Sequence, residues 1–514
     1  MIHERWHDVC ALEDLVEGTG VGALVAGRQV ALFQVHGRVY ALDNFDPASR
    51  ANVLSRGLTG NLQGERVVAS PIYKNHFVLA SGRCLEDPTF NVSAYSARVV
   101  GGHVQVEVPG TLRRIRLVVA GNGMAGMRTV EELLKLGVAD RFSITVFGAE
   151  PRGNYNRILL SPVLAGEQQA DDIMLHRPAW YAKRGITLHS GDPIVDIDRK
   201  RRIVRSRGSV VASYDRLLIA TGSDPIVLPL PGKQLPGVVT FRDLDDVNRM
   251  LEASGPDKRA VVIGGGLLGL EAAHGLQLRG MHVTVVHLLE TLMERQLDVP
   301  AGALLKEALE KRGIDFRMRA KTSEIIGDGH VSAVKFDTGE TVPADLVVMA
   351  VGVRPNIELA KRAYLACDRG ILVDDTLQTY DPAIYAVGEC VQHRRQTFGL
   401  LAPLWEQARI CAQHIAEIGV SRFSGALNST QLKVSGIEVF SAGDFSDKPD
   451  RESLVLSDKR RGIYKRIVLD GNRICGAVLF GDTREAAKLR ELIADGTDVS
   501  AIRDQLLFDS PAAA

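Results

Sequence analysis

The chain has 514 residues, too many for one hydrophobic core, so roughly three or four domains are expected. Lysine plus arginine balances aspartate plus glutamate at 62 each, which excludes the basic excess of a nucleic-acid or anionic-membrane binder. Apolar residues make up 45%, no apolar run approaches the ~20 residues of a spanning helix, and the charged stretch Met1–Leu15 is not a secretory signal, so a cytoplasmic protein is expected.

Residues 1–110 read as an all-β module. Short alternating runs such as Val30–Val35 and Val67–Ala69 are separated by Gly, Asn, Asp and Pro, and Val104–Val108 reads as the last strand. Pro109-Gly110 breaks the pattern, and strand, helix and strand then alternate. Leu117-Val118-Val119-Ala120 leads into Gly121-Asn122-Gly123-Met124-Ala125-Gly126. Helical periodicity covers Met124–Leu136 and stops at Gly137, and Ile144–Phe147 is the next strand. The succession repeats from Ala260-Val261-Val262-Ile263 into Gly264-Gly265-Gly266-Leu267-Leu268-Gly269, with a helix to Gly280 and a strand at Val283–Val286. The fingerprint glycines and their helix-ending glycines keep one constant offset. This alternation implies parallel sheets. Residues 425–514 mix strands (Arg466–Leu469, Ala477–Phe480) with a helix near Thr483–Ala494, and are read as a small α+β domain that frays at Pro511–Ala514.

A GxGxxG is informative only after a strand and at the start of a helix, and both copies meet that condition. Gly121 and Gly264 permit the tight turn, Gly123 and Gly266 let a pyrophosphate approach the backbone, and Gly126 and Gly269 let helix and strand pack. Met124, Ala125, Leu267 and Leu268 open helices whose unpaired N–H groups favour an anion. Glu150, past the second strand, is placed to accept hydrogen bonds from ribose hydroxyls. Ala220-Thr221-Gly222 ends another strand in a tight turn. Ile384–Val387 ends in Gly388-Glu389, an acid suited to the ribityl chain of a flavin, and Gly352 is assigned to the second site. Two dinucleotide sites in one chain point to FAD in the first and NAD(P)H in the second. The fold class expected is α/β, with two Rossmann-like domains between a β module and the α+β tail.

Together these motifs resemble the pyridine-nucleotide disulfide reductase superfamily. That resemblance implies an FAD domain split into 111–225 and 355–424, with the NAD(P) domain, 226–354, inserted. It also implies Arg157 and Trp405 around the flavin and Glu271 near the nicotinamide ring. The six cysteines (Cys10, Cys84, Cys367, Cys390, Cys411 and Cys475) are scattered, with no pair in the first helix and none in Asn154–Pro162. This excludes the disulfide-reductase and single-cysteine branches, and Pro162 stands where ferredoxin-reductase-like members often carry lysine. The stretch Asn154–Pro162, Val286-His287 with Leu292–Asp298, and Gly388-Glu389-Cys390 resemble the flavin region of the large subunit of NAD(P)H-dependent nitrite reductase.

Residues 1–108 resemble a Rieske-type domain, and more closely the small subunit of that same system. A Rieske cluster needs Cys-x-His and Cys-x-x-His pairs. The matching places hold Asp46-Pro47-Ala48 and Ser70-Pro71-Ile72-Tyr73, and His76 stands alone nearby, so no iron–sulfur cluster and no metal is expected, and the module is read as docking or structural.

His287 takes the place of the acid that selects NADH, Glu290 is near enough to substitute, and no arginine cluster awaits a 2′-phosphate, so NADH is expected ahead of NADPH. No cysteine-rich or sirohaem region follows the flavin-type region. The function expected is therefore an NAD(P)H oxidoreductase passing electrons to a separate protein, a nitrite or nitrate reductase subunit or a small iron–sulfur carrier. The alternatives are a ferredoxin or rubredoxin reductase of a monooxygenase system, or a flavin-bound sensor or scaffold. Residues 425–514 have two roles open, a homodimer interface or a cover over the flavin of a monomer.

Overall fold

In a computed structural model, the described residues are 6–108, 114–425, 429–434 and 436–508. They form two compact units, one up to residue 114 and one from 115 onward. The expected break at Pro109-Gly110 and the tail Pro511–Ala514 lie outside the described residues.

The first unit is built on a six-stranded antiparallel sheet in the order Trp6–Ala11, His103–Glu107, Ala94–Val100, Arg38–Asp43, Arg28–Val35, Gly20–Val25. A three-stranded sheet, Leu58–Leu62, Glu65–Ala69 and His76–Val78, accompanies it. The alternation read at Val30–Val35 is not one-sided burial. Val30 and Leu32 enter one core with Val104 and Val106, while Ala31 and Phe33 enter a second with Val68, Phe77 and Leu79. The strand is buried on both faces because two sub-cores share it.

The second unit contains two five-stranded parallel sheets. In the first, Thr187–His189, Phe142–Phe147, Ile115–Ala120, Arg216–Ile219 and Ile384–Ala386 lie side by side. In the second, the order is Val238–Thr240, Leu346–Met349, Arg259–Ile263, His282–His287, Ile314–Met318. The second sheet lies in sequence between the fourth and fifth strands of the first. The chain leaves along Ser223–Pro225 and returns along Val353–Pro355, and the two segments pair antiparallel as a narrow neck. Beyond the neck, Leu164 of the short helix Leu160–Ala165 packs on Gly275, where a Cβ would come within 2.8 Å of the leucine. Arg279 donates to Leu164 O at 2.7 Å and Val163 O at 3.2 Å, capping the C-terminal carbonyls of that helix.

The tail folds as a five-stranded antiparallel sheet with the helix Ala486–Asp495 on one face. Its other face sends Val439, Tyr464, Val478 and Phe480 into the core of the second parallel sheet. The tail is therefore packed on the second Rossmann-like domain. Lys465 is 4% exposed and bonds Glu485 (2.6 and 2.8 Å) and Asp482 (2.9 Å). Removing one partner of a buried ion pair strands the other charge. Lys465→Met is expected to destabilise the chain by about 3–5 kcal/mol, read as an earlier urea transition. An unchanged midpoint would refute this.

No helix among the described residues is long and apolar enough to cross a membrane.

Candidate functional site

Both fingerprints sit at the C-terminal edges of the central strands of their sheets, and their backbones are near copies. Gly121 has φ +124° and Gly264 has φ +125°, in a region that favours glycine. A Cβ on Gly121 would fall 2.1 Å from Ala220 O, and one on Gly264 2.2 Å from Ala350 O. A Cβ on Gly126 would fall 2.9 Å from Ala220 Cβ, and one on Gly269 2.0 Å from Gly264 O. Protein atoms thus explain the first and third glycines of each set.

They do not explain the middle ones. Gly123 and Gly266 both have φ −81° and ψ 178°, which any residue adopts, and a Cβ on either would meet no protein atom within 4 Å. Each opens a twelve-residue helix, Met124–Lys135 or Leu267–Leu278. Neither helix has a side-chain cap or an acid in its first turn. The first-turn N–H groups, those of Met124 and Ala125 or Leu267 and Leu268, thus form an uncapped donor set beside open space. That chemistry fits a pyrophosphate at each loop.

The first cradle is completed from distant sequence. Gly388 (φ +93°) lies against Ala125, with a Cβ there 3.0 Å from that of the alanine. Gly222 O accepts from Asn356 N–H, and Thr221 Oγ1 donates to Asn356 O at 2.7 Å. Asn122, inside the loop, accepts from Asn154 Nδ2 at its carbonyl (2.9 Å) and from the Tyr181 hydroxyl at Oδ1 (2.7 Å). Glu150 accepts from the Tyr155 hydroxyl at 2.8 Å and is ion-paired with Arg157. Glu389 accepts from Ser223 Oγ at 2.6 Å and is ion-paired with Arg242. The ring of Trp405 carries the Arg128 guanidinium 5.4 Å from its centroid. Ser223, Arg242 and Tyr181 carry no signal in the sequence, because contacts between remote segments have no periodic signature.

At the second cradle, Gly352 (φ +109°) accepts at its carbonyl from Ile226 N–H. His287 needs a correction. It does stand at the end of the second strand, but its ring turns inward and is 8% exposed. Its Nδ1 accepts from Gly265 N–H at 3.0 Å, so Nε2 carries the proton and donates to Thr291 O at 3.0 Å. The ring braces the glycine loop and offers nothing to a ribose.

The two cradles are joined by side chains. Glu271, on the second fingerprint helix, accepts from Ser161 Oγ at 2.7 Å, and burial pushes its carboxyl up to about 7. Arg157 donates to Arg242 O at 3.0 Å, and Arg242 holds Glu389. Cys390, next to Glu389, is fully buried, and burial raises its thiol to about 11, so it is not a ready nucleophile. All six cysteines are free.

Residues 115–413, which hold both cradles, match the family model for pyridine nucleotide-disulphide oxidoreductases. The chain belongs to that family. Membership makes it a mixed α/β oxidoreductase. Residues 5–107 match the Rieske-like [2Fe-2S] domain, and 429–497 match the rubredoxin NAD+ reductase C-terminal domain. The chain is 49% identical over 385 residues to "Nitrite reductase [NAD(P)H]" of Bacillus subtilis, covering 75% of this chain and 48% of that one. It is 43% identical over 396 residues to the "Assimilatory nitrate reductase electron transfer subunit" of the same organism, covering 77% and 51%. The chain thus spans about half the length of these curated relatives. Among solved structures, the covalent putidaredoxin reductase–putidaredoxin complex matches with TM-score 0.69 and 26% identity, over 76% of this chain and 98% of that one.

Within this oxidoreductase family the first unit brings a Rieske-like fold whose ligand positions do not fit an iron–sulfur cluster. Asp46 and Ser70, both fully buried, bond each other at 2.6 Å. Pro47, Ala48, Pro71, Ile72 and Tyr73 supply no thiolate or imidazole. His76 is bonded to Glu86 through Nδ1 at 2.6 Å.

Proposed function

We propose that the chain is an FAD-dependent NAD(P)H oxidoreductase of the cytoplasm that passes electrons to a separate acceptor protein of a nitrite- or nitrate-reducing system. The observation that carries this reading is the interlocking of the two cradles, with Glu271 bonded to Ser161 and Arg242 paired with Glu389. In it, Gly121–Gly126, Ala220–Gly222, Gly388 and Glu389 hold FAD, and Gly264–Gly269 with Gly352 hold NADH or NADPH. The FAD domain is 111–225 with 355–424, the nicotinamide domain is 226–354, and 1–110 and 425–514 flank them.

A bound flavin supplies the conversion of a hydride into single electrons. The chain's own contribution is position and field. The two helix N-termini hold the pyrophosphates, and Glu150, Tyr155 and Arg157 form one bonded group beside the first. Leu164 on Gly275 and the Arg279 cap hold the short helix Leu160–Ala165 against the second fingerprint helix. Glu271, held by Ser161, would supply a carboxylate to a bound nicotinamide ring. The printed name of the second Bacillus relative, an electron transfer subunit, supports a protein acceptor.

A second reading, reductase of a rubredoxin or ferredoxin, is favoured by the match of residues 429–497. Anaerobic mixing of the purified protein with NADH and with NADPH tests the shared step. Rapid bleaching of the flavin band by at least one nucleotide is expected. A yellow protein bleached by neither would overturn both readings in favour of a sensor or scaffold. Reoxidation of the bleached protein by a rubredoxin but not by a nitrite or nitrate reductase subunit would select the second.

A further inference from the structure

Two opposite charges stand where the second strand of the nicotinamide domain leaves its sheet. The strand His282–His287 runs out into Leu288, Leu289 and Glu290, and Ile314–Met318 ends beside it. Arg319 and Ala320 stay joined to that exit. Arg319 N–H donates to Leu289 O at 3.3 Å and Ala320 N–H to His287 O at 3.0 Å. Arg319 adopts φ +53°, which few non-glycine residues do, and its guanidinium returns across the exit to Glu290, Nη2 to Oε2 at 2.5 Å. Both side chains are about two-thirds exposed, at 68% and 65%.

In a Rossmann-type domain, the groups just past the second strand meet the 2′ position of the adenosine ribose. His287 is committed to Gly265 and Thr291, so it cannot read that position. Glu290 and Arg319 present a carboxylate and a guanidinium there. An exposed ion pair is weakly held, so either partner is released readily.

We infer that the Glu290–Arg319 pair is a two-way selector for the 2′ position, so that the chain accepts both NADH and NADPH. This rests on the assignment of the second cradle to the nicotinamide nucleotide. A 2′-hydroxyl donates to the Glu290 carboxylate. A 2′-phosphate repels that carboxylate and takes the Arg319 guanidinium, whose planar donors match phosphate oxygens.

The test uses the full chain and two dead-end ligands, ADP-ribose and 2′-phospho-ADP-ribose, with binding read by calorimetry. The wild type is expected to bind both within about tenfold of each other, and added salt to weaken mainly the phosphorylated one. Arg319→Gln is expected to weaken the phosphorylated ligand by about tenfold or more, as the loss of a charge-assisted hydrogen bond implies, with ADP-ribose nearly unchanged. Glu290→Gln should shift the preference the other way. Matching shifts are expected in kcat/KM for NADPH against NADH. A preference that moves less than about twofold in both variants, or a wild type that binds only one ligand, overturns the selector. If neither ligand binds the wild type, the cradle assignment itself fails and the selector with it.

Discussion

Gly266→Val is expected to leave a folded, yellow protein that NADH no longer bleaches. Gly266 has an ordinary backbone conformation, and a Cβ there meets no protein atom within 4 Å, so folding is little disturbed. The added isopropyl group occupies the approach to the first-turn N–H groups, where the pyrophosphate must come close. Losing that approach is expected to weaken nucleotide binding by about two orders of magnitude, roughly 3 kcal/mol. Gly123→Val should give the mirror image, a folded but colourless protein. Gly264→Ala should differ from both. Its φ of +125°, and the 2.2 Å that would separate a Cβ there from Ala350 O, make the new methyl a folding defect. Wild-type affinity for ADP-ribose in Gly266→Val would sink the cradle argument.

Glu271→Gln is expected to flatten the pH dependence of flavin reduction. Burial raises the Glu271 carboxyl to about 7, with Ser161 as its hydrogen-bond donor. The nicotinamide ring gains positive charge as it gives up hydride, and an ionised carboxylate beside it stabilises that change. Wild-type reduction should therefore speed up as pH rises through about 7, by about tenfold, while the glutamine variant stays level. Stability runs the opposite way. The unfolded carboxyl titrates near 4.5 and the folded one near 7, so between these values the native state binds the extra proton. The contribution is fully present below the unfolded value and is lost as pH rises through the folded one. By pH 8 the buried charge costs as much as about 3 kcal/mol, so Glu271→Gln should be the more stable protein there and match the wild type at acid pH. Stopped-flow bleaching and urea melts at both pH values check the two signs. Parallel pH profiles in the two proteins would remove Glu271 from the hydride step.

What was legible in the residues, and what was not, divides along physical lines. The glycine loops could be read because each demand is local: a tight turn at Gly121 and Gly264, an open approach at Gly123 and Gly266. The parallel sheets followed from the strand–helix alternation around them. Glu150 and Glu389 stand out in the sequence as acids just past apolar strands. Arg157 is expected near the flavin, but its pairing with Glu150, and the roles of Arg242 and Ser223 at Glu389, exist only once the chain brings separate segments together. His287 stands at the strand end its position implies, but Gly265 N–H and Thr291 O decide which way its ring turns, and no local pattern encodes them. The run Val30–Val35 marks a strand, but not that two sub-cores share it. The tail looked like an independent domain because the apolar residues of its second face do not announce what they pack against.

The neck of Ser223–Pro225 against Val353–Pro355 has a bearing on how such chains diversify. Both ends of the nicotinamide domain emerge side by side, with Ser223 opposite Pro355. A segment whose two ends meet can be exchanged as a cassette, since the host need only close a short gap and no host strand is cut. Exchange of the whole nicotinamide domain thus needs only two crossover points, both in one ribbon.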